Sequence, residues 1–251
     1  MTDRNAKQRR VLDPERVVRT LEQLHARIAE RFPASGLSVV CGDLIVTAKK
    51  TQRRAHDLGH PYIGLRILVG LIAVTAIGLQ IYLARIFDWR SLTLKAYPVS
   101  LAQGLDSAVN LGLLAFGAIW FLATLETRLK RSRTLKHLYE LRSFAHVIDM
   151  HQLTKDPSVI LGNGARTASS PKRQMNEFQL ARYLDYCSEM LALVSKLAAL
   201  YAARSRDAAI IDAINDVEVL TSDLGRKIWQ KITILSQLKE VEDAGGAAVE
   251  G

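Results

Sequence analysis

Two short stretches of this sequence gather the side chains most capable of chemistry. Ala145 to Asp156 reads AHVIDMHQLTKD and holds His146, Asp149 and His151, and His56 to His60 reads HDLGH. Histidines beside carboxylates suit a divalent metal or a proton relay, provided that they converge on one point. In the first stretch they do not, because on one helix His146 and His151 point roughly 140° apart. In the second, His56 and His60 share a face as i, i+4 neighbours, and Asp57 invites comparison with the HExxH zinc motif. Aspartate stands there in place of the glutamate base, and Gly59 and Pro61 would end such a helix. A metal centre would therefore have to be assembled across helices from His56, His60, His146 and Asp149. A divalent metal is the one cofactor such a set could take. A satisfied polar layer or a solvated helix face explains the same residues more simply.

Other chemistries find less support. No Ser-His-Asp order or nucleotide-binding loop stands out, and Gly162-Asn163-Gly164 follows no strand pattern and lacks the P-loop Lys-Ser or Lys-Thr. Cys41 and Cys187 lie far apart in apolar, helix-like settings (SVVCGDL and LDYCSEM) without a CxxC partner, which points to buried free thiols. The chain is basic, with a net charge of +9. It carries no reader module and no aromatics interleaved with its basic residues, so nucleic acid is not the expected partner.

The elements that must position these residues follow from composition and period. Of 251 residues 49% are hydrophobic and only 6% aromatic, and Leu, Ala and Arg are frequent, a balance that favours helices over strands. Ile67 to Ala84 runs 18 residues without a charge and Ser107 to Leu125 runs 19. At about 1.5 Å per residue either is long enough to cross the hydrocarbon layer as a helix. The N-terminal sequence MTDRNAKQRRVLDPERVV has no apolar core after its basic residues, so no secretory signal peptide is expected.

Orientation follows from the basic residues. Lys49, Lys50, Arg53, Arg54 and Arg66 precede the first apolar run, and Arg128, Lys130, Arg131, Arg133 and Lys136 follow the second. The connection carries only Arg85, Arg90 and Lys95. The richer side stays in the cytoplasm, which places both termini there and the short loop 88–105 outside. The two basic clusters would face anionic lipid head groups, and a bacterial inner membrane is the expected setting. Ala108 and Gly112 form a small-xxx-small step beside Asn110, a pattern that lets another helix approach closely within the membrane.

The remaining segments read as amphipathic helices. Asp13-Pro14 caps a helix with Val17, Leu21, Leu24 and Ile28 on one face. Leu138, Leu141, Ala145 and Ile148 form the apolar stripe of a rod that continues the second apolar run to about Thr154. A Gly-, Ser- and Pro-containing linker, 156–173, separates this from the most periodic part of the chain. There Tyr183, Tyr186, Met190, Leu193, Leu197 and Leu200 step by three and four, and Ile210, Ile214, Val217, Thr221, Leu224 and Ile228 do the same after a tight connection, which predicts an αα-hairpin. Asp212 and Asp216, like charges one turn apart, call for a basic neighbour, and the helix from Arg128 to Arg142 is the candidate.

The expected architecture is all-α: N-terminal helices (1–62), a two-pass transmembrane hairpin (63–126), a membrane-proximal helix (127–155), the linker, a C-terminal αα-hairpin (174–240) and a disordered tail (241–251). The expected function is that of an integral membrane scaffold or assembly protein, not an enzyme. It would form a homo-oligomer or recruit a helical partner through the cytoplasmic bundle, with Tyr186, Met190, Leu193, Leu197 and Leu200 as the seam. A membrane-acting effector or small channel gated by that bundle is the first alternative. A metal-dependent enzyme using the juxtamembrane His and Asp residues is the second.

Overall fold

The computed structural model describes residues 12–57, 63–86, 98–155, 175–203 and 205–247, apart from some side chains within these ranges. They form six helices and, among the described residues, no strand. The helices are α1 (Pro14–Arg31), α2 (Gly36–Asp57), α3 (Ile63–Ile86), α4 (Pro98–Leu153), α5 (Glu177–Ala202) and α6 (Ala208–Ala247). The chain divides into two compact units, one made of 1–59 with 133–251 and the other of 60–132.

Helix starts follow local chemistry. The Asp13 carboxylate accepts the Glu15 N–H at 3.0 Å ahead of Pro14, whose ring is already set for the first helical turn. Asn176 and Gln179 exchange side chain-to-backbone hydrogen bonds of 2.8 and 3.0 Å at the start of α5, a complete capping box. Asp207 accepts the Ala209 N–H at 3.0 Å where α6 begins. Between α1 and α2 the turn places Ala34 at φ 60°, a left-handed conformation that disfavours a Cβ. Gly36, which opens α2, lets the His151 ring approach so closely that an added Cβ would sit 2.6 Å from its Cε1.

In the larger unit α5 is the central helix. Half of its 26 residues are buried, including Tyr183, Cys187, Met190, Val194 and Leu197. The other helices each bring one stripe to the same core: Val17, Leu21, Leu24 and Ile28 from α1; Leu37, Cys41, Leu44 and Ala48 from α2; Leu138, Leu141, Ala145 and Ile148 from α4; Ile210, Ile214, Val217, Leu224 and Ile228 from α6. Phe32, just past α1, meets the Tyr183 ring edge-on at 5.4 Å. Arg27 grips Glu189 through two hydrogen bonds of 2.6 and 3.2 Å, a fork-to-carboxylate pair at the solvent edge. Both thiols are buried, and desolvation pushes Cys41 and Cys187 up to about 12, so each stays protonated and inert.

Two boundaries differ from the sequence expectation. Helix α4 starts at Pro98, inside the stretch 88–105 read as a loop, because proline at a first helical position fixes φ there. Helix α6 continues to Ala247, within the stretch 241–251 read as a tail, since Val241 to Ala244 are compatible with helix and glycine comes only at 245.

In the unit 60–132 many apolar side chains are exposed, while Val69, Ile72, Ala73 and Ala76 on α3 and Ala115, Ile119 and Leu122 on α4 are half-buried along one line of each helix. Leu71, Val74, Leu113, Leu114 and Phe116 are each at least 62% exposed. Among the described residues one helical stretch, Gly112–Leu153, is long and apolar enough to cross a membrane, and its apolar window has no buried residue. The described apolar part of α3, Ile67–Leu79, is shorter. Thr75 and Thr124 return their hydroxyls to carbonyls of their own helices at 2.9 to 3.0 Å, leaving no polar group of theirs unsatisfied.

Leu197 is fully buried and Lys196 beside it is exposed. Truncation of Leu197 to Ala is expected to cost about 2 to 5 kcal/mol. A charge at neighbouring Leu193 (L193D) should be worse, and K196D should be mild. Thermal or denaturant unfolding of the purified chain measures all three, and equal effects of L193D and K196D would contradict this packing.

Candidate functional site

The stripe that α2 turns toward the core begins apolar and ends polar. After Leu37, Cys41 and Leu44 come Thr47 and Thr51, both buried, and then Arg54 one turn on. On α4 the matching positions are His137 and Glu140, three apart on one face, and α5 contributes the fully buried Tyr201. Together they make a polar cluster at the end of the bundle where α2 leaves it and α4 enters.

Its geometry fixes the protonation pattern. Arg54 Nη1 lies 2.8 Å from His137 Nδ1. A guanidinium can only donate, so Nδ1 is the acceptor and the ring proton sits on Nε2. Glu140 completes the triangle, with Oε2 3.6 Å from His137 Nδ1 and 3.8 Å from Arg54 Nη1, and it accepts the Thr47 hydroxyl at 3.4 Å. Burial, and after it the charge of Arg54, hold the His137 pKa below its ordinary 6.5; Glu140 opposes both.

The Thr51 and Tyr201 hydroxyls are buried neighbours, in hydrogen-bonding proximity to each other but without a well-formed hydrogen bond to any partner. Burial raises the Tyr201 pKa, against smaller lowering effects from Thr51 and Arg54. Buried hydroxyls without well-formed hydrogen bonds are costly, and these two make this end of the core polar.

A second polar contact closes the opposite end. Lys231 Nζ donates to the Gln152 backbone oxygen at 3.2 Å and to its Oε1 at 2.7 Å, so a cation meets the last carbonyls of α4. Gln152 Nε2 in turn donates to Asp149 Oδ1 at 2.6 Å.

The residues singled out by sequence fall as follows. His146 is exposed and Asp149 is engaged by Gln152. His60 and the side chain of His56 lie outside the described residues. Among the described residues no three His, Cys, Asp or Glu side chains are grouped to hold a metal. Tyr186, Met190, Leu193, Leu197 and Leu200 are buried inside the chain's own bundle. Gly112 is half-buried, Asn110 is exposed and donates to Asp106 Oδ2 of its own helix at 3.4 Å, and the Ala108 side chain is outside the described residues.

Of the basic residues, Lys49 pairs with Glu22 at 2.7 Å and Lys130 with Glu126 at 2.8 Å, and Arg128 lies over the Phe121 ring at 6.0 Å. Lys50, Arg53, Arg131 and Arg133 are exposed. Arg142 reaches Asp216 at 3.8 Å, so α4 does supply a basic neighbour to that pair of aspartates. Beside this contact a groove of about 280 Å³ runs between α4 and α6, with Leu138, Tyr139, Ala213 and Val217 along it.

Thr47, Thr51, Glu140 and Tyr201 were not among the sequence candidates. The available signal was the change from Leu and Cys to Thr along the buried stripe of α2. Comparison with protein-family models, with curated proteins and with solved structures finds no match to this chain.

The two buried hydroxyls give a direct test. Y201F and T51V remove buried hydroxyls that lack a well-formed hydrogen bond, so each should leave stability unchanged or raise it by up to about 1 kcal/mol. Denaturant titration measures this, and a loss of more than about 1 kcal/mol on Y201F would show that its hydroxyl is bonded in solution.

Proposed function

We propose that this chain is a two-pass integral membrane protein whose helical bundle lies on the cytoplasmic side and acts as a scaffold for assembly or partner recruitment at the membrane. The observation that carries the reading is the contrast in apolar exposure between the two units. The bundle buries its apolar stripes, whereas α3 and the first part of α4 leave Leu71, Val74, Leu113, Leu114, Phe116 and Trp120 exposed and bury only partly a single line on each helix. Apolar surface of that extent is stable only in an apolar solvent, and lipid is the one that matches helices of this length. The basic residues flanking both apolar runs orient the termini to the cytoplasm and face anionic head groups.

The assembly surface is not the hairpin seam. Leu193, Leu197 and their neighbours are occupied inside the chain, so a second copy or a helical partner has to use residues left outside, of which Tyr139, Met150 and Leu153 on α4 are each at least 59% exposed.

Topology is testable by single-cysteine labelling, because native Cys41 and Cys187 are buried and contribute little background. A cysteine at Ser100 should react with an impermeant reagent added to intact cells, and one at Ser169 only after permeabilisation. Labelling of Ser169 from outside would overturn the orientation. Recovery of the unlabelled chain from the aqueous fraction without detergent would overturn the membrane reading itself.

A further inference from the structure

Helices α2 and α4 are the two through which the chain leaves the bundle and returns to it, and the contact that ties their ends together contains a histidine. We infer that Arg54, His137 and Glu140 form an acid-sensitive latch, in which protonation of His137 exchanges its hydrogen bond to α2 for an ion pair within α4 and so releases the end of α2. This goes beyond the membrane reading and does not depend on it, since every residue involved belongs to the bundle.

The exchange follows from the donor inventory. With a neutral ring, His137 Nδ1 accepts from Arg54 Nη1 across 2.8 Å, and the bond joins α2 to α4. When the ring takes up a proton, Nδ1 carries a hydrogen and becomes a donor, so two cationic donors face each other at that distance. The bond is lost. The protonated Nδ1 has another partner already in reach, Glu140 Oε2 at 3.6 Å, three residues along the same helix. That carboxylate also faces Arg54 at 3.8 Å and accepts the Thr47 hydroxyl, so its capture by His137 weakens the two remaining polar contacts between α2 and α4 in this cluster.

The surrounding groups favour the neutral ring at rest. Arg54 faces it from α2, Lys136 and Glu140 from α4, and on α5 the Tyr201 hydroxyl lies within the field of both Arg54 and Glu140. Burial and Arg54 lower the His137 pKa, with Lys136 adding a smaller effect in the same direction. The sign is therefore fixed: the folded bundle binds fewer protons here than the unfolded chain, the stabilisation is whole above the ordinary value of 6.5, and it is lost as pH falls through the folded value. The buried Thr51 and Tyr201 hydroxyls are neighbours of the latch, Tyr201 lying within the field of Arg54 and Glu140, and opening would let water reach them.

Hydrogen exchange on the purified full chain tests the inference, reading the amides of the last turns of α2. Protection there should fall about tenfold or more in the wild type between about pH 7.5 and about pH 5, after correction for intrinsic exchange, the factor carried by one charge-assisted hydrogen bond. H137Q keeps an acceptor for Arg54 and cannot take up the proton, so it should hold its protection at both values. Should H137Q fail to fold, H137N serves the same purpose. An unchanged wild type, or an equal fall in wild type and variant, overturns the latch.

Discussion

Helix α5 has buried residues on most of its circumference, and a helix of that kind persists in water only when other helices surround it. Tyr183 and Tyr186, Met190 and Leu191, Leu197 and Ala198 point in different directions and are all buried. Each surrounding helix can therefore be amphipathic with one narrow stripe, which is what α1, α2, α6 and the C-terminal part of α4 are. Their stripes step by three and four, and the residues between them are free to be charged. Ion pairs such as Arg27 with Glu189 and Lys49 with Glu22 sit at the solvent edge of this arrangement, where they fix neighbours in register and add little to stability.

Helix α4 obeys two rules along one continuous rod. From Ser107 to Leu125 its residues are uncharged and mostly apolar; from Thr134 onward it buries a single line, Thr134, Leu138, Leu141, Ala145, Ile148 and Gln152. The change falls at Glu126 to Arg133, where charge returns with a Glu126–Lys130 pair one turn long. Backbone hydrogen bonding is the same on both sides of this point. What differs is burial: the first part leaves most of its apolar side chains exposed, and the second lays one line of them into the protein core.

The cluster at the end of α2 shows how a core can be closed with polar groups. Thr47 and Thr51 continue the stripe begun by Leu37, Cys41 and Leu44, but they bring hydroxyls to a place where Arg54, His137, Glu140 and Tyr201 converge. Directional hydrogen bonds specify one approach of α2 to α4, whereas an apolar contact at the same point would tolerate sliding.

Much of this architecture is decided by the sequence alone. Helix starts at Asp13-Pro14 and Asn176, the stripes of α1, α4 and α6, and the two charge-free runs are local properties, set by capping chemistry and by the period of apolar residues. The tertiary structure decided what periodicity cannot carry. It placed the αα-hairpin seam inside the chain's own bundle, because a stripe of Leu, Met and Tyr looks the same whether its partner is α2 or a second copy. It also brought together Arg54, His137 and Tyr201, which are separated by more than a hundred residues at the widest and share no motif. A polar cluster of this kind is defined by distances across helices, and no spacing along one helix encodes them. The opening pair of His146 and Asp149 makes the same point from the other side: adjacent on a helix and conspicuous in the sequence, they end with one exposed and the other held by Gln152.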